Sequence, residues 1–400
     1  VAASLPHGDP WPDDNRLEVE VRNDSTFHVY LHVPFCVVRC GYCDFNTYTA
    51  NEIGDISQST FHESLIREIE FADSVLSGSG IPKRKLETVF IGGGTPSLFS
   101  PSQIGALLTR LEEAFGFGED VEITMEANPE GLTKERLAGF YESGINRFSI
   151  GVQSFDEQVL KTLDRVHTAD KVRSAARDIR ELGARLSLDL IYGAPGESLE
   201  SWSKTLDLAL ELKPEHVSAY ALIVEEGTAL ARRISRGEMP DIDEDLNADK
   251  YLLAEQKLTE AGLENYEVSN WGEPCRHNQA YWRSMDWWGF GPGAHSHISG
   301  TRFWNHKYPA NYSKLLLQGS PIHSMESLDA RTRSEERLLL ELRTSDGVDR
   351  KLLRDLGVSP QRVSERIASG HLRLEPGGQI VPTLEGRLLV DGIVLDFLTN

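Results

Sequence analysis

Cys36-Val-Val-Arg-Cys40-Gly-Tyr-Cys43 places three of the chain's four cysteines within eight residues. Thiolates suit zinc or iron–sulfur clusters. A structural zinc site takes four ligands, and the remaining cysteine, Cys275, lies more than 200 residues away. Three thiolates on a four-iron cluster leave one iron open to an outside ligand. Zinc completed by Cys275 or a histidine, and an inert group of buried thiols, are the alternatives. Gly92-Gly93-Gly94-Thr95-Pro96-Ser97 offers backbone that can approach a ligand closely and take positive φ; alone it could equally be a tight turn. Glu126, just before Asn128-Pro129, is a carboxylate able to accept from ribose hydroxyls or an ammonium group, or simply to cap a turn. Gln153 lies twelve residues before Arg165. Arginine can hold a carboxylate in a bidentate pair. Asp189 sits inside an apolar run, where burial demands a partner.

The elements around these residues alternate in type. Short apolar, β-branched runs appear at 29–33, 88–91, 121–125, 145–151, 186–193 and 216–222. Segments with helical spacing fall between them at 61–76, 101–115, 133–144 and 169–183, the last two closing on glycine. Thr133 can cap its helix, but Arg136 stands where a capping box needs an acid or amide. The alternation predicts an α/β fold, a parallel sheet covered by helices. Right-handed crossovers collect the strands' C-terminal ends, and with them the ligand site, on one face. Six repeats are too few for a closed eight-fold barrel, so an open, partial (β/α)6 barrel over 27–225 is expected.

Before it, residues 1–26 hold three prolines and six acids against two arginines, which predicts a flexible leader. Residues 226–324 read as an irregular extension, with one clear helix near 244–261 and five of the seven tryptophans between 271 and 304. Packing accounts for most of those rings. Residues 325–400 read as a small winged-helix-like domain. It carries 11 basic and 13 acidic residues, so the basic footprint of a DNA binder is missing.

CxxxCxxC after a first strand, with the aromatic Tyr42 before the last cysteine, resembles the radical S-adenosylmethionine (SAM) superfamily. Within it, Tyr30-Leu-His-Val-Pro-Phe-Cys resembles the oxygen-independent coproporphyrinogen oxidase family, and the likeness runs from about Tyr30 to the C-terminus. The resemblance implies a [4Fe–4S] cluster on Cys36, Cys40 and Cys43, with SAM on the open iron, where an electron could cleave the sulfonium. It also implies SAM contacts from Tyr30, Tyr42, Gly93, Gly94, Thr95, Glu126, Gln153, Arg165 and Asp189, and from Ala221 by backbone or shape. Some of these touch a second SAM in the oxidases.

Two features depart from the oxidases. They carry a fourth cysteine two residues after the last cluster cysteine, where this chain has Phe45. That puts coproporphyrinogen III decarboxylation, the alternative function, in doubt. His277-Asn278-Gln279-Ala280-Tyr281-Trp282 matches HNxxYW and resembles the HemW-type heme chaperones, as does Tyr266-Glu-Val-Ser-Asn270. The resemblance implies a protein that binds heme and delivers it to acceptors such as respiratory enzymes, and it leaves room for a cluster-dependent homodimer. A neutral imidazole is a common axial ligand to heme iron, so His277 is the expected ligand, with His295 and His297 as rivals. Tyr281 and Trp282 could stack on the porphyrin, and Asn278 could orient the imidazole. Cys275 reads chiefly as a small buried thiol.

Composition supports this frame. The chain has 400 residues, 41 Lys plus Arg against 62 Asp plus Glu, and a net charge of −21. That balance excludes a general nucleic-acid binder and docking on anionic lipid by charge alone. No run of about 18 apolar residues predicts a transmembrane helix, and the opening VAASLPHGDPWPDD lacks the apolar core of a secretion signal. Four cysteines, three of them clustered, point to a reducing, cytoplasmic setting.

Overall fold

The computed structural model describes residues 5–22, 24–54 and 56–399. Strands β1 (Phe27–Val33), β2 (Leu86–Gly93), β3 (Phe117–Ala127), β4 (Arg147–Gln153), β5 (Arg185–Tyr192) and β6 (His216–Ala221) lie side by side in chain order, each parallel to the next. Helices α1 (Phe61–Gly78), α2 (Pro101–Phe115), α3 (Lys134–Glu142), α4 (Glu157–Thr162), α5 (Ala169–Leu182) and α6 (Leu199–Glu211) connect them. The helix ends follow local chemistry. Ser100 and Gln103 form a reciprocal capping box with Pro101 in the first turn of α2. Thr133 caps α3 through the Arg136 N–H without the return bond. Gly183 ends α5 in the left-handed conformation, at φ 77°.

Strand side chains alternate between faces. Val29, Leu31, Val89, Ile91, Ile123, Phe148 and Leu188 are buried in one core with Leu65, Ile69, Leu107 and Leu206 of the helices. Each such side chain stabilises the fold by roughly 1.5–3 kcal/mol. The alternate positions are polar and also buried: His28, Thr88, Glu122, Arg147, Ser187 and His216. They line the inside of the curved sheet, toward the strands' N-terminal ends, and form its floor.

The 226–324 segment is more regular than expected. It adds β7 (Asn265–Glu267) and β8 (Asn270–Gly272) beyond β6, and β9 (Asp286–Phe290), β10 (His295–Ile298), β11 (Thr301–Asn305) and β12 (Ile322–Ser327) beyond β1. β9 is a seventh strand in the parallel run, paired with β1. The twelve-stranded sheet stays open, with β12 and β7 at its two edges. Strands of three to six residues carry too little alternation to be read from sequence. Helices α7 (Ala229–Ser235), α8 (Glu244–Glu260), α9 (Arg276–Trp282) and α10 (Pro309–Gln318) complete the segment. Trp271, Trp288 and Trp304 are buried in packing roles.

The described part of the 1–26 leader is not a free chain. Asp9 bridges to Met325 of β12, Trp11 meets Phe303 at 5.1 Å, and Leu17 is buried in the main core. Prolines keep the segment extended, and its few apolar side chains fasten it to the sheet. Residues 330–398 have their own core around Leu338, Leu352, Ile380, Ile393 and Phe397, beside a three-stranded sheet. Arg387 of this unit holds Glu255 of α8 in a bidentate pair.

Candidate functional site

The three cysteines occupy the loop that leaves β1 at the C-terminal mouth of the barrel. None is in a disulfide, and all three are half-buried. The loop is closed by a bridge between Phe35 and Tyr48, with the Cys36 N–H donating to the Tyr48 carbonyl at 3.0 Å. Asn46 staples it to the rest of the molecule. Its side chain donates to the carbonyls of Pro292 (2.8 Å) and Lys307 (3.0 Å), and its own carbonyl accepts from His32 Nε2 at 2.9 Å.

A polar chain joins the cysteines to the neighbouring strand ends. Arg165 donates to Cys40 Sγ at 3.5 Å, to Asn128 Oδ1 at 2.7 Å and to the Gly151 carbonyl at 2.9 Å. The Asn128 amide donates to Thr95 Oγ1 at 3.0 Å, and Thr95 faces Cys36 Sγ at 4.0 Å. Gly93 sits at φ 110°, and its N–H donates to Glu126 at 3.0 Å. A Cβ on Gly94 would stand 3.0 Å from Cys36 Sγ and collide with the Phe35 carbonyl. Glycine is therefore required beside the thiols. Gln153 adopts φ 61°, rare for a residue with a side chain and a mark of local strain. Arg165 Nε is buried without a hydrogen-bond partner.

Below this rim lie Tyr30, Glu126 and Asp189. Tyr30 bonds His32 Nδ1 at 3.0 Å. Asp189 accepts the Ser149 hydroxyl on both oxygens at 2.9 Å. Burial raises its carboxyl, against the pull of Ser149, Ser218 and Arg147. Burial, and then the negative Asp189 nearby, push Glu126 up to about 8. Tyr42 packs beside Val159 and Leu163, and Ala221 is exposed at the end of β6 opposite Tyr192. The structure thus gathers the expected mouth residues around one opening, with Ala221 at its edge. Asn128 and Asn46 are the connectors that spacing alone did not single out as ligand contacts.

The donor set fits a [4Fe–4S] cluster. Cys275, the fourth thiol that a zinc site would need, is buried elsewhere against Glu122 at 3.5 Å, which disfavours a four-thiolate zinc centre. A four-iron cluster takes each cysteine on a different iron. Burial raises the Cys36 thiol and pushes Cys43 up to about 11, so metal binding would release protons.

His277 lies elsewhere. Helix α9 plugs the barrel floor, and His277 is 1% exposed. Its Nδ1 meets Thr88 Oγ1 at 2.6 Å and its Nε2 meets the Tyr281 hydroxyl at 2.8 Å. Its N–H and the Cys275 thiol both donate to Glu122, at 3.2 and 3.5 Å. Burial holds the imidazole well below its usual pKa. In this conformation both ring nitrogens of His277, the expected heme ligand, are engaged inside the protein. His297 is also buried, with Nδ1 on the Met285 carbonyl at 3.1 Å, whereas His295 is exposed and stacks on Trp304.

Comparison with known proteins agrees with this geometry. Residues 30–209 match the model of the radical SAM superfamily. The chain is 42% identical to the heme chaperone HemW of Mycobacterium tuberculosis over 377 residues, covering 93% of this chain and 95% of that protein. It is 33% identical to the heme chaperone HemW of Escherichia coli, covering 93% and 98%. Among solved structures, coproporphyrinogen III oxidase (HemN) from Escherichia coli is similar in fold, with a TM-score of 0.79 at 23% identity over 94% of this chain and 90% of that one.

Proposed function

This chain belongs to the HemW family of heme chaperones, within the radical SAM superfamily, and from that premise we propose that it binds heme and delivers it to acceptor proteins. The observation that carries the reading is the near full-length identity to heme chaperones, which spans the mouth, the floor and the C-terminal unit together. Cys36, Cys40 and Cys43 hold a [4Fe–4S] cluster. Tyr30, Tyr42, Gly93, Gly94, Thr95, Glu126, Gln153, Arg165, Asp189 and the backbone at Ala221 form the SAM-binding rim. When bound, cluster and SAM supply one-electron chemistry. The protein's own part is positional. Arg165 sets a positive charge beside Cys40, Gly94 leaves space next to Cys36, and Glu126 braces the Gly93 backbone.

The family resemblance supports respiratory enzymes as the acceptors, a homodimer governed by the cluster, and a cytoplasmic location. No helix among the described residues is long and apolar enough to cross a membrane. The oxidase alternative is weakened at residue 45, where Phe45 is 60% exposed on the cluster loop and offers no thiol.

The test is anaerobic. Protein with its cluster restored is given SAM, reductant and coproporphyrinogen III beside a known oxidase, then titrated with heme and mixed with a heme-free acceptor. The expected result is no protoporphyrinogen, saturable heme binding and transfer to the acceptor. Catalytic protoporphyrinogen formation would make the protein an oxidase instead.

A further inference from the structure

The Asn128 side chain, directly after β3, stands between two groups that each reach a cluster cysteine. Its Oδ1 accepts from Arg165 Nη2 at 2.7 Å, and its Nδ2 donates to Thr95 Oγ1 at 3.0 Å. Arg165 Nη1 donates to Cys40 Sγ at 3.5 Å, and Thr95 Oγ1 lies 4.0 Å from Cys36 Sγ, a long contact between a hydroxyl and a sulfur. A guanidinium only donates, so the amide fits one way round, with its oxygen on Arg165 and its nitrogen on Thr95. The Thr95 oxygen is then an acceptor toward Asn128, which leaves its own proton for Cys36. One amide thus fixes the sense of every hydrogen bond between Cys40 and Cys36.

The two arms depend on Asn128 to different degrees. Arg165 Nη2 also donates to the Gly151 carbonyl at 2.9 Å, which helps to hold the guanidinium without Asn128. The buried Thr95 hydroxyl has no such second anchor: among the described residues its hydrogen-bond partners are Asn128 and Cys36. Hydrogen bonds to the sulfurs are one of the factors that set the reduction potential of an iron–sulfur cluster. One electron from a reductant makes a [4Fe–4S] cluster one charge more negative, and donors aimed at its sulfurs stabilise that reduced form more than the oxidised one. They therefore raise the potential.

We propose that Asn128 is a positioning residue that raises the reduction potential of the cluster, by turning the Thr95 hydroxyl onto Cys36 and steadying Arg165 on Cys40. It acts through these two groups. The assignment rests on the cluster reading above and is independent of heme delivery.

The experiment is an anaerobic potentiometric titration of full-length protein with its cluster restored, with dithionite as reductant and no SAM, followed by electron paramagnetic resonance of the reduced cluster. Leaving SAM out separates the potential from any SAM contact. In Asn128→Ala the ratio of reduced to oxidised cluster at the parent's midpoint should fall at least tenfold, a midpoint about 59 mV lower for one electron. Thr95→Val keeps the shape but loses the hydroxyl, and the ratio should fall several-fold. Thr95→Ser keeps the hydroxyl and should stay within about twofold of the parent. Asn128→Asp still accepts from Arg165 but only accepts, so it draws the Thr95 proton away from Cys36. Its shift should shrink when Thr95 is already valine, which tests the bridge even if Asn128→Ala assembles no cluster. An unchanged midpoint in Asn128→Ala, equal shifts in Thr95→Val and Thr95→Ser, or full additivity of Asn128→Asp with Thr95→Val would each overturn the assignment. Failure of the unaltered protein to assemble a cluster is a distinct outcome and would sink the cluster reading itself.

Discussion

The mouth and the floor of this barrel are built from the same strands and the same kinds of side chain, yet they are finished differently. At the mouth, three thiols stand half-buried outside any disulfide, Arg165 Nε has no partner, and Gln153 is held at positive φ. At the floor, His28, Thr88, His277 and Tyr281 close a hydrogen-bonded chain, and Glu122 gathers Arg185, Cys275 and the His277 N–H. Unpaired and strained groups are costly unless something binds them. Their concentration at the mouth marks where a ligand acts. In α9 Trp282 Nε1 is also unpartnered, but His277 and Tyr281 are bonded to each other and His277 to Thr88, which makes the helix a structural plug, although both regions carry family motifs.

Substitutions at the two levels should therefore separate ligand binding from stability. The largest effect is expected for Cys40→Ala: no cluster should assemble, read as lost visible absorption and iron content, while the thermal midpoint of the metal-free protein barely moves. Full retention of iron would break the comparison from the mouth side. At the floor, Glu122→Ala should remove the buried partner of Arg185 and the acceptor of the His277 N–H and the Cys275 thiol, and cost about 3 kcal/mol in a denaturant titration. A loss below 1 kcal/mol would show that the floor does not depend on this charge. His277→Ala removes two hydrogen bonds from a sealed site, and about 1–3 kcal/mol of stability should go with them, measured the same way. A heme defect without a stability defect would instead return His277 to the ligand role.

Glu126→Gln sharpens the contrast through pH. The Glu126 carboxyl is raised from 4.5 to about 8 in the fold. The native state therefore holds a proton that the unfolded chain releases, and this group makes stability fall as pH rises from about 4.5 through 8. The variant of the ligand-free protein should melt a few degrees higher than the parent at pH 8.5 and within a degree of it at pH 4.5, while SAM binding weakens. An equal shift at both pH values would mean that Glu126 is not the titrating group.

Much of the scaffold was legible in the chain. The six parallel strands and the helices at 61–78, 101–115, 134–142 and 169–182 fall within a few residues of the apolar runs and periodic segments. Capping residues such as Ser100 and Thr133 set the starts of helices locally. The short strands at the sheet edges were not legible, because pairing partners far along the chain create them. Asp9 meets Met325 and β9 meets β1 across more than 250 residues.

The sequence by itself determined the donor set: three thiols in one loop, a glycine run after the second strand, and carboxylates on the third and fifth. Those follow from residue type and short spacing, which no packing can alter. Whether a side chain keeps its lone pair was decided only by the tertiary structure. His277 and His167 are both buried imidazoles on short local motifs, and nothing in those motifs tells them apart. Thr88 and Tyr281 occupy both nitrogens of the first, while Val152 occupies one nitrogen of the second. These partners come from other strands or from the next helical turn, so what each ring bonds depends on where the folded chain has brought them.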